Sequence, residues 1–580
     1  MCGVCGELDA LHVTPAGTTV LEPVWQRPED PGEGPAEVVF RRGAVYTMDP
    51  RRPWAQAVAV RGRRIVAVGS DDEVSATVGA GTRVVDLDGR MLLPGFVDAH
   101  IHPLLGAFFT AGADLQHPTR EGMLAALADW VRAHPDGPVR GFGWRVDMFG
   151  PDGPHRAELD RIVGDRPAVL TAIDCHSAWV SSAALRQAGI TRETPDPVPG
   201  FSFFQRDSAG EPTGYVLELP AVLKVIEAVE PFTQEAVARL FAEWAPRAAA
   251  AGLTAMFDAA MPGVAGDEGA LGAVYTGLEA QGRLPMRVVL SHVLKSGPVD
   301  GAVAAAQELA RRYRTELVRG GVLKVLGDGT AEGYTAHLLE PYADKPDSVG
   351  SSPFTEVEWY RLVREADAAG LDLHIHAIGD RTVRVALDAL ESAIAVNPAR
   401  DRRHAIAHLV YVDEADLCRF GPLGVIAQCS GNWMSADPST VQIAVQRYGQ
   451  RRAAQFFRTR TLLDWGATIA FGTDWPAAGY YSTYKPLDAV QVAVTRQLIG
   501  EPEGPVLEPA DERLYLSQAL YAATAGAAYQ LRLDDAGMIA PGMLADLVVL
   551  RENLFDLDPA EIASTPVDLT MMNGNVTYES

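Results

Sequence analysis

The chain has 580 residues, with 50 Lys and Arg against 75 Asp and Glu, for a formal net charge of −25. That length exceeds a bare α/β barrel of about 250 residues, so a large domain with attachments is expected. The acidic balance argues against a nucleic-acid partner and against an anionic membrane surface, because both are held by clustered Lys and Arg.

Residues 1–35 are rich in Pro, Gly and Glu and read as a flexible extension. They show neither the basic start nor the apolar run of a secretory signal. Cys2 and Cys5 form a CxxC, but the next cysteine is Cys175, so the second pair of a zinc ribbon is missing. No apolar stretch reaches the roughly 18 residues of a membrane span. Five scattered Cys make no disulfide framework, and a reducing, cytoplasmic location is the expectation.

Residues 36–90 read as β structure, with β-branched runs at 37–48, 55–68 and 82–87 broken by glycine turns. From residue 91 the pattern changes to strands alternating with amphipathic helices. Strands are expected at 95–102, 254–259, 286–293, 323–327, 371–377, 404–409, 425–428 and 468–474, with helices such as 302–314, 356–369 and 381–394 between them. Near-continuous apolar strands followed by helices predict a parallel (β/α)8 barrel of the TIM type over 91–534. The first two strands are about 150 residues apart, too far for a loop, which predicts an inserted subdomain over 110–250. Its own texture gives strands at 139–144, 168–174 and 214–219 and helices at 121–133 and 233–251. The tail returns to β texture, with a strand at 544–550 and a hairpin at 569–578 around Asn573-Gly574. Residues 36–90 and 535–580 are therefore expected to form one small β-sandwich domain.

Several histidines fall at the predicted strand ends. His100-Ile101-His102 closes the first strand, and residues i and i+2 share a face there. Lys324 lies on the fourth strand, His376 ends the fifth, His408 ends the sixth and Asp474 ends the eighth. His374 reads as an ordinary core histidine. Neutral imidazoles suit Zn²⁺ and similar ions, and such an ion with an open position acidifies a bound water towards a pKa of about 7. A nearby carboxylate can accept that proton and pass it on.

These segments resemble the amidohydrolase superfamily, specifically the amidohydrolase family 3 (YtcJ-like) branch. The resemblance rests on Pro94-Gly95-Phe96-Val97-Asp98-Ala99-His100-Ile101-His102, Leu323-Lys324-Val325, residues 374–380, Ala407-His408, residues 471–476 and the closing run 537–550. In the insert, Ile173-Asp174-Cys175-His176-Ser177-Ala178-Trp179 and Gly210-Glu211-Pro212-Thr213-Gly214, leading to Glu218, are similar to the same branch. The resemblance implies a metal-dependent hydrolase of C–N bonds. One divalent metal, expected to be zinc, would be held by His100, His102 and Asp474, and a second by His376 and His408. Lys324 would bridge them if carbamylated, since a free ammonium cannot ligate, and Asp474 would be the catalytic general base.

Two departures touch the pocket edge: Ala407 stands where the branch often has Glu, and Gln428-Cys429 where many members have Gln-Pro. Trp144, His176, Trp179, Asn432, Trp433 and Trp475 are candidate substrate contacts, with ordinary packing as the competing explanation. Cys429, at a strand end, is the cysteine to examine as a nucleophile. The expected substrate is a small amide, N-formyl, N-acyl or cyclic amide compound, and the expected assembly is a homodimer. A decarboxylase or isomerase would present the same ligand set. A non-catalytic assembly protein would have lost some of these ligands.

Overall fold

The structure, a computed structural model, describes residues 34–580 except 151, 198–201, 262–266, 268, 332 and 479. The predicted extension up to residue 33, with Cys2 and Cys5, lies outside the described residues. The chain divides into two compact units. One contains the described residues up to 101 with 245–473 and 485–580; the other contains 102–244 with 474–484.

The first unit holds an eight-stranded sheet whose neighbours follow chain order: Phe96–Ile101, Leu253–Asp258, Arg287–Leu294, Val318–Leu326, Asp372–Ala377, Ala405–His408, Ile426–Cys429 and Ile469–Phe471. Every pairing is parallel. The first two strands, Phe-Val-Asp-Ala-His-Ile and Leu-Thr-Ala-Met-Phe-Asp, are buried at every residue, as strands covered on both faces must be. Helices such as Ala302–Arg312, Glu356–Ala368 and Asp380–Val396 connect them. This is the expected TIM-type barrel. The fourth strand begins at Val318, earlier than its apolar run suggests, because Gly320 and Gly321 interrupt the pattern without ending the strand.

Asp98 closes the ring. Its carboxylate, on the first strand, accepts the Thr473 hydroxyl at 2.6 Å and the Thr473 N–H at 3.2 Å, just beyond the eighth strand. At Gly472 a Cβ would collide with the backbone of His100, so the close approach of these strands requires glycine.

The same unit contains two further sheets. A four-stranded sheet is built from Val38–Arg41, Ala57–Arg61, Arg64–Gly69 and Arg83–Asp86. A six-stranded sheet interleaves Ala44–Tyr46, Trp54–Ala55 and Met91–Pro94 with the C-terminal strands Leu547–Leu550, Val567–Met572 and Asn575–Glu579. Phe40, Val58 and Ile65 of one sheet share an apolar core with Leu92, Val549 and Met571 of the other. The final hairpin turns at Asn573 and Gly574 with φ of 57° and 76°, the left-handed pair that a two-residue turn of this type needs.

The second unit has its own six-stranded sheet, in the order Phe203–Arg206, Pro212–Leu217, Ser177–Val180, Ala168–Ala172, Val139–Trp144 and Ala113–Asp114. Helices Arg120–Ala133 and Arg156–Val163 contribute Met123, Leu127, Leu159 and Val163 to its core. The strands Ala113–Asp114, Ser177–Val180 and Phe203–Arg206 were not expected from the pattern. With two to four residues each, they are too short to show a period of two.

Candidate metal centre

His100 sits at the C-terminal end of the first barrel strand and is 1% exposed. Its Nδ1 lies 3.0 Å from Gln428 Oε1 on the seventh strand and 2.9 Å from His374 Nε2 on the fifth. The Gln428 amide nitrogen donates to the Cys429 carbonyl at 3.1 Å, so it is the Gln428 oxygen that faces His100. An acceptor at Nδ1 puts the proton there and leaves Nε2 as a lone-pair donor. Nε2 is 3.3 Å from the amine of Lys324, which is itself buried on the fourth strand. Gln530 continues the support, donating to the Ala99 carbonyl at 2.8 Å with its amide 3.4 Å from His374 Nδ1.

His408, also buried, has its ring 4.7 Å from that of His100 and 4.5 Å from that of His376. The Trp433 ring lies parallel to it at 5.3 Å and 9°, fixing the plane of the imidazole. His376 Nε2 lies 3.3 Å from the Gly329 carbonyl and 3.6 Å from Asp328 Oδ1. The Asp328 carboxylate accepts the N–H groups of His337, Ile378 and Gly379 and the Thr382 hydroxyl, all at 2.9–3.0 Å. Burial still pushes its pKa up to about 7 against these bonds.

Asp474 follows the eighth strand and lies with its Oδ1 2.9 Å from His102 Nε2. His408 and Asp474 both adopt left-handed backbone conformations, with φ of 75° and 58°. Such conformations cost about 1–3 kcal/mol in non-glycine residues and concentrate at functional sites. Among the described residues, His100, His408 and Asp474 form a buried group whose ligand atoms all lie within 4.8 Å of one another. Neutral imidazole nitrogen and carboxylate oxygen at this spacing are the donor set of a divalent ion with mixed N/O coordination.

The profile of the amidohydrolase family matches residues 83–578. The chain belongs to this family. It is 30% identical to the putative amidohydrolase YtcJ of Bacillus subtilis over 94% of this chain and 99% of that protein. It is 29% identical to Protein LONG AFTER FAR-RED 3 of Arabidopsis thaliana (94% and 92% covered) and 27% identical to the N-substituted formamide deformylase of Arthrobacter pascens (92% and 97% covered). An uncharacterized metal-dependent hydrolase from Pyrococcus horikoshii shares the fold, with a TM-score of 0.70 at 22% identity over 90% of this chain and 99% of that one. The protein is thus a hydrolase of the amidohydrolase family, acting on C–N bonds other than peptide bonds. Among the described residues no helix is long and apolar enough to cross a membrane.

The residues expected to touch substrate separate in this amidohydrolase. Trp144 and Trp179 are 0% exposed and belong to the core of the second unit. Trp144 donates its indole N–H to the Leu170 carbonyl at 2.8 Å, and the Trp179 ring packs edge-on against Phe149 at 5.3 Å. Packing therefore accounts for both rings, and their reading as substrate contacts gives way, because both strands are buried at every residue. His176 is half exposed and meets Glu218 at 2.8 Å. Trp475 stacks on Trp244 at 4.9 Å and 11°. Asn432 donates to the Thr473 carbonyl at 3.1 Å, tying the loops after strands seven and eight. Burial holds the Cys429 thiol up at about 12, and its neighbour is the Thr459 hydroxyl, so it is no ready nucleophile.

Sequence reasoning passed over Gln428 as a polar partner of His100 and treated His374 as plain core. No local pattern marks either role. The only signal is that each lies one short strand position from a residue already singled out.

Proposed function

We propose that this amidohydrolase cleaves the C–N bond of a small, partly hydrophobic N-formyl or N-acyl compound with the help of zinc. His100, His102 and Asp474 would hold one ion, and His376 with His408 a second. The buried group of His100, His408 and Asp474 supports a metal at this place; the division of ligands between two ions follows the family resemblance. The likeness to a formamide deformylase along nearly the whole chain favours an N-formyl or related amide as substrate.

When bound, the ion would supply an acidified water and polarise the scissile carbonyl. The chain does the rest. Gln428 and His374 engage His100 Nδ1, which directs the Nε2 lone pair away from them. Asp474 acts as general base: a carboxylate oxygen accepts the proton of the attacking water and delivers it to the departing nitrogen, which leaves as a neutral amine. His102, at 2.9 Å, holds that carboxylate in place. Lys324 would bridge two ions as its carbamate. Unmodified, its amine lies 3.3 Å from His100 Nε2. Asn432 and Trp433 in the first unit, and Trp475 and His176 in the second, are the proposed substrate contacts.

Metal analysis together with a panel of N-formyl, N-acyl and cyclic amide substrates tests the reading. The expected result is stoichiometric zinc and amine release that stops on chelation. A protein that carries no metal and ignores chelator, or that releases CO₂ in place of amine or acid, would overturn it.

A further inference from the structure

The N-terminal ends of the barrel strands, opposite the end that carries His100, border a second polar cavity. Its volume is about 180 Å³, and its charged lining is Arg63, Arg64, Arg287, Arg319 and Arg532 with two carboxylates, Glu316 and Asp535. Arg63 and Arg64 come from the β domain, where the strand Ala57–Arg61 turns into the strand Arg64–Gly69. Arg287 is the first residue of the third barrel strand, and Arg319 is the second residue of the fourth. Five guanidinium groups around one cavity are unexpected in a chain whose net charge is −25.

Four of the five have carboxylate partners. Arg63 pairs with Glu316 at 3.0 Å, Arg64 with Asp535 at 2.7 Å, Arg287 with Asp546, and Arg532 with Asp401 at 2.9 Å and with Asp372. Arg319 differs. Its hydrogen bond goes to the backbone carbonyl of Leu531. Burial pushes its pKa down to about 10, Asp534 and Asp535 oppose that shift, and the nearby Arg532 and Arg403 add to it. A shielded guanidinium held by one neutral acceptor and crowded by other cations is costly unless an anion joins it. The cavity beside it has room for one. Arginine forks suit tetrahedral oxyanions, which they grip with charge-assisted paired hydrogen bonds.

We propose that this cavity is a binding site for a small, doubly charged oxyanion, orthophosphate or a phosphomonoester, separate from the metal centre and centred on Arg319. Bound there, the anion links Arg63 and Arg64 of the β domain to Arg287 and Arg319 of the barrel and stabilises the folded enzyme by mass action.

Calorimetric titration of the metal-loaded enzyme with orthophosphate and with glycerol phosphate, at constant ionic strength and against chloride, tests the site. One saturable site is expected. Arg319→Met and Arg63→Met should each weaken it at least tenfold, whereas Arg132→Met, at an exposed position elsewhere, should leave it unchanged. Retained hydrolase activity verifies that each variant is folded, and Arg63→Met, at the half-exposed rim, carries the test if Arg319→Met does not fold. The tighter of the two ligands identifies a free-phosphate or a phosphomonoester site. No saturable binding to the wild type, or affinity unchanged in both arginine variants, which would put the anion at the metal centre, overturns the proposal.

Discussion

At the scale of single residues, chemistry and support separate cleanly. His102→Ala and Asp474→Ala should each abolish hydrolysis while the far-ultraviolet circular dichroism spectrum stays that of the wild type, because neither side chain belongs to an apolar core. Gln428→Leu keeps the size of the side chain but removes the oxygen that faces His100 Nδ1 at 3.0 Å. Loss of such an orienting partner typically costs about 10–100-fold in metal affinity. A competition titration with a chromophoric chelator should show a weakening of that order, and unchanged affinity would mean that His374 alone fixes the His100 ring. The His-x-His pair, Lys324, His376, His408 and Asp474 could be named from the chain because they fall on or just after apolar runs, and of these the structure groups His100, His408 and Asp474. Gln428 and His374 as partners of His100 were not. Their contacts join strands seven and five to strand one, and no local spacing encodes a contact across a barrel.

At the scale of elements, polar side chains fasten helices and strands that apolar packing alone would let slide. Asp367, on the helix Glu356–Ala368, is buried and accepts hydrogen bonds from Arg400, Arg402, Asn397 and His404 at 2.9–3.2 Å. Burial by itself would raise its pKa, but the bonds from His404, Arg402 and Asn397 outweigh that and hold it far below the usual carboxylate range. A carboxyl whose folded pKa is depressed contributes stability that is complete above its unfolded value of about 4 and lost as the pH falls below it. Asp367→Asn should therefore lower stability by roughly 2–4 kcal/mol at pH 7, since Arg402 loses its carboxylate partner while Arg400 keeps Asp372. It should also flatten the decline of the melting temperature between about pH 5 and pH 2. Equal acid sensitivity in the two proteins would show that other carboxylates set the acid limb. In the terminal hairpin, a Cβ at Gly574 would strike the Gly62 carbonyl oxygen, and φ there is 76°. Gly574→Ala should cost about 1–3 kcal/mol, read as a lower denaturation midpoint. The barrel strands were readable because they are long and apolar on both faces. The short strands of the second unit were not, and of the two readings left open for Trp144 and Trp179 burial favours packing.

At the scale of the whole molecule, an ion bound at the proposed centre would couple metal to fold. Removing the ion from a buried group of two imidazoles and a carboxylate takes away ligand-linked stability. Chelation should therefore lower the melting temperature as well as the rate, and added zinc should restore both. A melting temperature indifferent to chelator would show that the centre is preformed without metal. The sequence by itself determined the barrel, a separate sheet region and the candidate ligands to look for, because strand period, chain length and residue chemistry are local properties. Only the tertiary structure decided which acceptor fixes each imidazole, which tryptophans are core, and that arginines far apart in the chain, such as Arg64 and Arg287, line one cavity. Those depend on which faces of distant elements meet, and that is settled by packing, where burial, charge pairing and close approach are satisfied together.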